Sequence, residues 1–132
     1  MTAAADANAS GGKFVTSPAA ESGSATFTIN LPVAGTYILW GRVLAPSYGA
    51  DSFYVSVDGG PEDVYDVAEG TWSANWQWTR VNGRGGTGKP LTLNPRTFQL
   101  SAGTHKINFR TREANSRLDK IFITGNPGAR PE

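Results

Sequence analysis

Apolar residues recur at every second position along short stretches of this chain, and no stretch shows a sustained helical period. Ala25, Phe27, Ile29 and Leu31 alternate with Ser24, Thr26, Thr28 and Asn30 until Pro32 ends the run. Tyr37 to Leu44 reads as a strand apolar on both faces, with Arg42 as its polar exception. Phe53, Val55 and Val57 share one side of a further strand, which Asp58-Gly59-Gly60-Pro61 stops with strong turn chemistry. A short strand is expected over Val64 to Val67, and Leu91 and Leu93 precede the turn residues Asn94-Pro95-Arg96. Phe98 and Leu100 lead into the turn Ser101-Ala102-Gly103-Thr104. Ile107, Phe109 and Thr111 then alternate with Lys106, Asn108, Arg110 and Arg112, and a last strand runs through Leu118, Ile121 and Ile123. About 8–10 short strands of period two predict an all-β protein, an antiparallel β-sandwich or barrel.

One stretch departs from this pattern. Trp72, Trp76 and Trp78 fall at even spacing, so an extended backbone puts them on one face. Their neighbours are Gly70, Thr71, Ser73, Ala74, Asn75 and Gln77, where a core strand would offer Val, Ile or Leu. Flat aromatic faces among polar groups suit an amphipathic ligand such as a sugar, whose ring has an apolar face and a hydroxyl edge. Packing is the competing reading for so large a ring. Trp78, deepest in its strand, is the one most expected in the core.

The 132 residues suffice for one domain, expected over residues 1–125, with 126–132 as a linker or tail. Sixteen glycines and eight prolines fit many turns. With no cysteine and a single histidine, His105, disulfides and the usual zinc ligand sets are excluded. No apolar stretch is long enough for a membrane helix. The first residues lack the basic and apolar regions of a signal peptide, so the expectation is either an intracellular protein or, preferred here, a module of a longer chain. The net charge of +1 hides an asymmetry: residues 1–79 carry two basic and eight acidic side chains, residues 80–132 ten and three. Either the two halves neutralise each other across the sandwich, or the arginines serve an anionic partner.

Catalytic constellations are not visible. A Ser-His-Asp arrangement would have to use His105, and no Gly-x-Ser-x-Gly elbow presents a serine. No acidic pair stands out among Asp51, Glu62, Asp63, Asp66, Glu69 and Glu113. Asn82 to Pro90 lacks the order of a phosphate loop and is expected to be a mobile connection. Nucleic acid is disfavoured by the near-zero net charge.

Several phrases, taken in order, carry a resemblance. They are Asp6-Ala7-Asn8-Ala9-Ser10-Gly11-Gly12-Lys13-Phe14-Val15, Phe27 to Pro32, Ala34-Gly35-Thr36-Tyr37-Ile38-Leu39-Trp40-Gly41-Arg42-Val43, Asp51 to Gly59, the tryptophan cluster, Ser101 to His105 and Leu118-Asp119-Lys120-Ile121. Over residues 6 to 125 the chain resembles carbohydrate-binding modules of the galactose-binding-like β-sandwich type, families six and thirty-five. The resemblance implies a two-sheet jelly roll that binds polysaccharide without activity of its own, as a monomer appended to a secreted enzyme. It implies a ligand site at the loop edge or on a concave sheet face. The edge site would draw on Tyr48, Trp72, Trp76 and Asn115. It also implies a structural calcium near the chain ends, with Asp119 as ligand, although the Glu-x-Glu pattern of the first strand is missing and only Asp6 precedes Glu21.

If the odd positions of their strand face the core, Trp40 and Arg42 lie on the outer or concave surface. Arg42 either pairs with an acid such as Glu113 or faces ligand. Arg110 and Arg112 share a strand face beside Arg117, and such a group suits a uronate or sulfate. The expected contact set is therefore Tyr48, Trp72 and Trp76 for stacking, with Arg42, Arg112, Asn115 and Arg117 for hydrogen bonds. A protein-binding or adhesive sandwich using the same aromatic and Arg surface is the alternative.

Overall fold

Alternation becomes strand wherever one parity can be buried. The computed structural model describes residues 1–131 and contains ten strands and no α-helix among them. These are β1 (Thr2–Ala5), β2 (Lys13–Thr16), β3 (Ser24–Leu31), β4 (Gly35–Ala45), β5 (Ser52–Val57), β6 (Asp63–Asp66), β7 (Ser73–Arg80), β8 (Thr97–Leu100), β9 (Gly103–Thr111) and β10 (Arg117–Thr124). A six-stranded sheet runs β1-β2-β10-β4-β7, with β8 on the first residues of β4. A four-stranded sheet runs β3-β9-β5-β6. Every pairing is antiparallel, so the predicted two-sheet antiparallel β-sandwich is the fold.

The inner faces meet in one core. Leu39 and Val43 of β4 and Leu118 of β10 face Phe53 of β5, Tyr65 of β6, and Ile107 and Phe109 of β9. Each such side chain contributes about 1.5–3 kcal/mol through removal from water. β4 is the central strand of its sheet, which is why Ile38 and Leu44, on its outer parity, are buried too. On β10 the pattern Leu118, Ile121, Ile123 breaks period two by one residue. A bulge between Leu118 and Lys120 absorbs the extra residue, so both sides of it keep their apolar groups inward.

One expectation changes. The segment 82–96 is a loop, with a bridge between Gly83 and Leu93. The loop from Asn82 is anchored, not simply a free connection. Asp63 accepts from the backbone N–H groups of Arg84 and Gly85 at 3.1 Å each and from the Arg96 guanidinium, and Arg84 forks onto both oxygens of Asp66 at 2.7 and 3.0 Å. β1 and β2 went unread in the sequence because Ala-rich and short segments carry little alternation.

Candidate functional site

The connections 17–23, 46–51, 67–72 and 112–116 all fall at one end of the sandwich, because β2, β4, β6 and β9 end there and β3, β5, β7 and β10 begin there. Polar bonds weld them together. Val67 N–H bonds to the Asp51 carbonyl at 2.9 Å, and Asn115 N–H bonds to the Ser17 carbonyl at 2.8 Å. Glu113 accepts from Ser52 Oγ at 2.8 Å and from the Asp51 N–H at 3.2 Å. Two aromatic rings stand out of this end. Tyr48 is 66% exposed and Trp72 is 46% exposed, with ring centroids 6.4 Å apart and planes at 74°. Asn115, exposed at the neighbouring tip, takes a left-handed backbone conformation (φ 70°) that asparagine tolerates.

Trp76 lies elsewhere. It sits on the outer face of the six-stranded sheet, its ring 5.5 Å from Phe14 and 5.4 Å from the Arg42 guanidinium, and its Nε1 donates to Asp6 at 3.1 Å. With Asp6, Asn8, Arg42, Leu44, Ala74 and Asn75 it lines an open recess of about 330 Å³. Trp72 precedes β7 and so escapes the strand parity that Trp76 and Trp78 share. Trp78 is not in the core. It pairs across from Arg42 on the same outer face, half-buried, and borders a second recess with Trp40, Arg80 and Arg130. The inner parity of β7 belongs to Thr79, whose hydroxyl and carbonyl meet the buried Tyr65 hydroxyl. Trp40 and Arg42 do lie on the outer surface, as expected.

The arginines do not converge. Arg42 pairs with Asp119 at 2.5 Å, not with Glu113. Arg110 stacks on Tyr54 and forks onto Glu62 on the outer face of the smaller sheet. Arg112 turns to Ser52 Oγ at 2.9 Å, and Arg117 of β10 lies over the Phe14 ring of β2, both strands of the six-stranded sheet. Among the described residues Arg112 and Arg117 have no carboxylate within salt-bridge distance.

Sequence reasoning missed a buried acidic pair beneath the loop end. Burial and the adjacent Glu113 push the Asp51 carboxyl up to about 8, whereas bonds from Asp51 and Ser52 hold Glu113 below its ordinary value against the opposing effect of burial. It also missed a Ser-His-Asp cluster at the opposite end. His105 Nδ1 meets Asp58 at 2.5 Å, and Nε2 is 2.7 Å from the Ser101 carbonyl and 3.4 Å from Ser101 Oγ. The Asp58 bond and the Ser101 carbonyl together raise the imidazole pKa. An imidazole whose Nε2–H is given to a carbonyl is no base for the serine, so the cluster clips two turns together.

No family model matches the chain, and no curated protein matches it significantly. Solved structures do match. The family 35 carbohydrate-binding module of Cellvibrio japonicus Abf62 superposes with a TM-score of 0.68 at 15% identity, over 95% of this chain and 83% of that one. A family 35 module in complex with a glucuronic acid containing disaccharide gives 0.69 at 14% identity, with the same coverage of 95% and 83%. The Podospora anserina β-(1,4)-mannanase with a family 35 module gives 0.68 at 21% identity, over 98% of this chain but 26% of that one. The class is thus a two-sheet antiparallel β-sandwich, similar in fold to these modules. More narrowly, the fold is that of family 35 carbohydrate-binding modules.

Proposed function

We propose that this chain is a non-catalytic carbohydrate-binding module whose sugar-stacking surface is the Tyr48–Trp72 pair. The observation that carries the reading is their joint exposure on polar, hydrogen-bonded loops at one end of the sandwich. Two rings set at a steep angle offer one sugar both a floor and a wall, and Asn115 supplies an amide at the same end for hydroxyl groups. Trp76 and Arg42, spent on Phe14, Asp6 and Asp119, belong to the outer-face recess and not to this pair.

An acidic or sulfated glycan is the finer reading. Arg112 supports it, since it lies beside the root of the Tyr48 loop and, among the described residues, has no carboxylate within salt-bridge distance. Arg117 adds a second such cation at the start of β10. The match to a module bound to a glucuronic acid disaccharide points the same way. The module would serve a secreted polysaccharide-degrading enzyme in the same chain, as in the mannanase that carries such a module.

A glycan array spanning neutral, uronic and sulfated polysaccharides tests the reading. Binding is expected, and Tyr48→Ala and Trp72→Ala should each weaken it about tenfold or more while leaving the melting temperature nearly unchanged. Full binding by both variants overturns the stacking surface. No hit on any glycan would favour a protein partner for the same rings.

A further inference from the structure

The resemblance implies a calcium ion with Asp119 among its ligands, and the residues around Asp119 do not fit one. Calcium takes about six to eight oxygen ligands, several of them carboxylates. Among the described residues no group of three or more His, Cys, Asp or Glu side chains converges here or elsewhere. The Asp119 side chain is fully buried, and its two oxygens are already engaged: Oδ1 accepts the Ser10 N–H at 2.8 Å, and Oδ2 accepts Arg42 Nη1 at 2.5 Å. The same Nη1 reaches the Asn8 carbonyl at 3.0 Å. Asp6 is committed to the Asn8 N–H at 2.9 Å and to Trp76 Nε1.

We propose that Arg42 is a covalently attached cation standing in for a metal ion, so that this sandwich fastens its N-terminal hairpin without calcium. The β10 bulge lets Asp119 turn outward while Leu118 and Ile121 stay on the core side. β4 presents Arg42 opposite Lys120, one step away. The 6–12 connection between β1 and β2 lies over both, bringing the Asn8 carbonyl and the Ser10 amide to them. A single guanidinium therefore gathers oxygens from the hairpin and from β10, which is the bridging a bound cation would perform. Trp76 closes one side of the guanidinium, with Phe14 and Asp6 holding that ring in place.

The test is thermal. Wild-type protein refolded from urea in EDTA should melt within about 1 °C of protein refolded in excess calcium chloride. Arg42→Met, which keeps much of the stem and removes the charge, should lower the melting temperature by roughly 5–10 °C, because Asp119 is left buried and uncompensated. Arg42→Lys should recover part of that loss. Adding Asp119→Asn to Arg42→Met should recover at least about half of it, since no unpaired charge then remains. A wild-type melting point that drops by roughly 5 °C or more in EDTA overturns the proposal. So does an Arg42→Met protein as stable as wild type, or a double variant no more stable than Arg42→Met alone, which would assign Arg42 to packing on Trp76. Should Arg42→Met fail to fold, the chelator comparison on wild type and the Arg42→Lys variant decide the matter.

Discussion

Asp51 holds its proton to a higher pH than an ordinary carboxyl, because it is buried next to Glu113 and near Asp66. Its folded pKa lies above its unfolded one, so between about pH 4 and pH 8 the folded protein retains a proton that the unfolded chain has released. Stability from this group is therefore complete at low pH and is lost as pH rises through that window. Glu113 works in the opposite sense: its lowered value contributes stability that disappears only as pH falls below the ordinary glutamate range. Asp51→Asn removes the penalty at high pH, and its urea midpoint should exceed that of wild type at about pH 9, with the gap closing towards about pH 5. Trp76 matters at this scale through packing. Trp76→Ala strips one side from Arg42 and from Phe14, and should cost about 1–3 kcal/mol in urea unfolding, where Trp72→Ala costs little.

Between elements, the close approach of the two sheets depends on what β4 lacks. A Cβ on Gly41 would sit 2.8 Å from the Tyr65 hydroxyl and 3.2 Å from the Tyr65 ring. That hydroxyl reaches across from the smaller sheet to the Thr79 hydroxyl at 2.5 Å and its carbonyl at 3.1 Å, in a fully buried position. Gly41→Ala must therefore push Tyr65 and β6 outward, with an expected loss of about 1–3 kcal/mol measured by denaturant unfolding. Tyr65→Phe, which leaves the Thr79 hydroxyl without that partner, should cost about 1 kcal/mol in the same assay. The alternation in β3 was legible because Phe27, Ile29 and Leu31 all answer to one sheet and one neighbour, β9. β10 was harder to read, since its bulge depends on a pairing with β4 that lies far away in sequence.

At the scale of the whole molecule, the acidic first part and basic second part of the chain cancel by interleaving. Arg84 meets Asp66, Arg96 meets Asp63 and Arg110 meets Glu62, each joining a basic residue of the later chain to an acid of the earlier one. Such a surface exerts little general pull on polyanions, and duplex DNA should not bind detectably at about 150 mM salt in a fluorescence assay. Binding to an acidic glycan would come from local arginines and should weaken on going from about 50 to 500 mM sodium chloride, whereas binding to a neutral glycan should hardly change.

Period-two patterning determined the fold class, the strands that form the core and the loops that carry Tyr48 and Asn115. These follow from local alternation and turn chemistry, which the chain states within a few residues. Parity puts Trp78 on the face of Trp76 but does not say which face is covered; depth in the strand points Trp78 to the core, and the structure turns that face outward. Its side is set by Tyr65 and Thr79 meeting across the sheets. The partner of Arg42 is Asp119, 77 residues away, and only the meeting of β4 with a bulged β10 under the N-terminal hairpin selects it over Glu113. The same long-range assembly separates Trp76 from Trp72 and leaves the second beside Tyr48. Local chemistry supplied the candidates; contacts between distant strands decided which of them remain exposed.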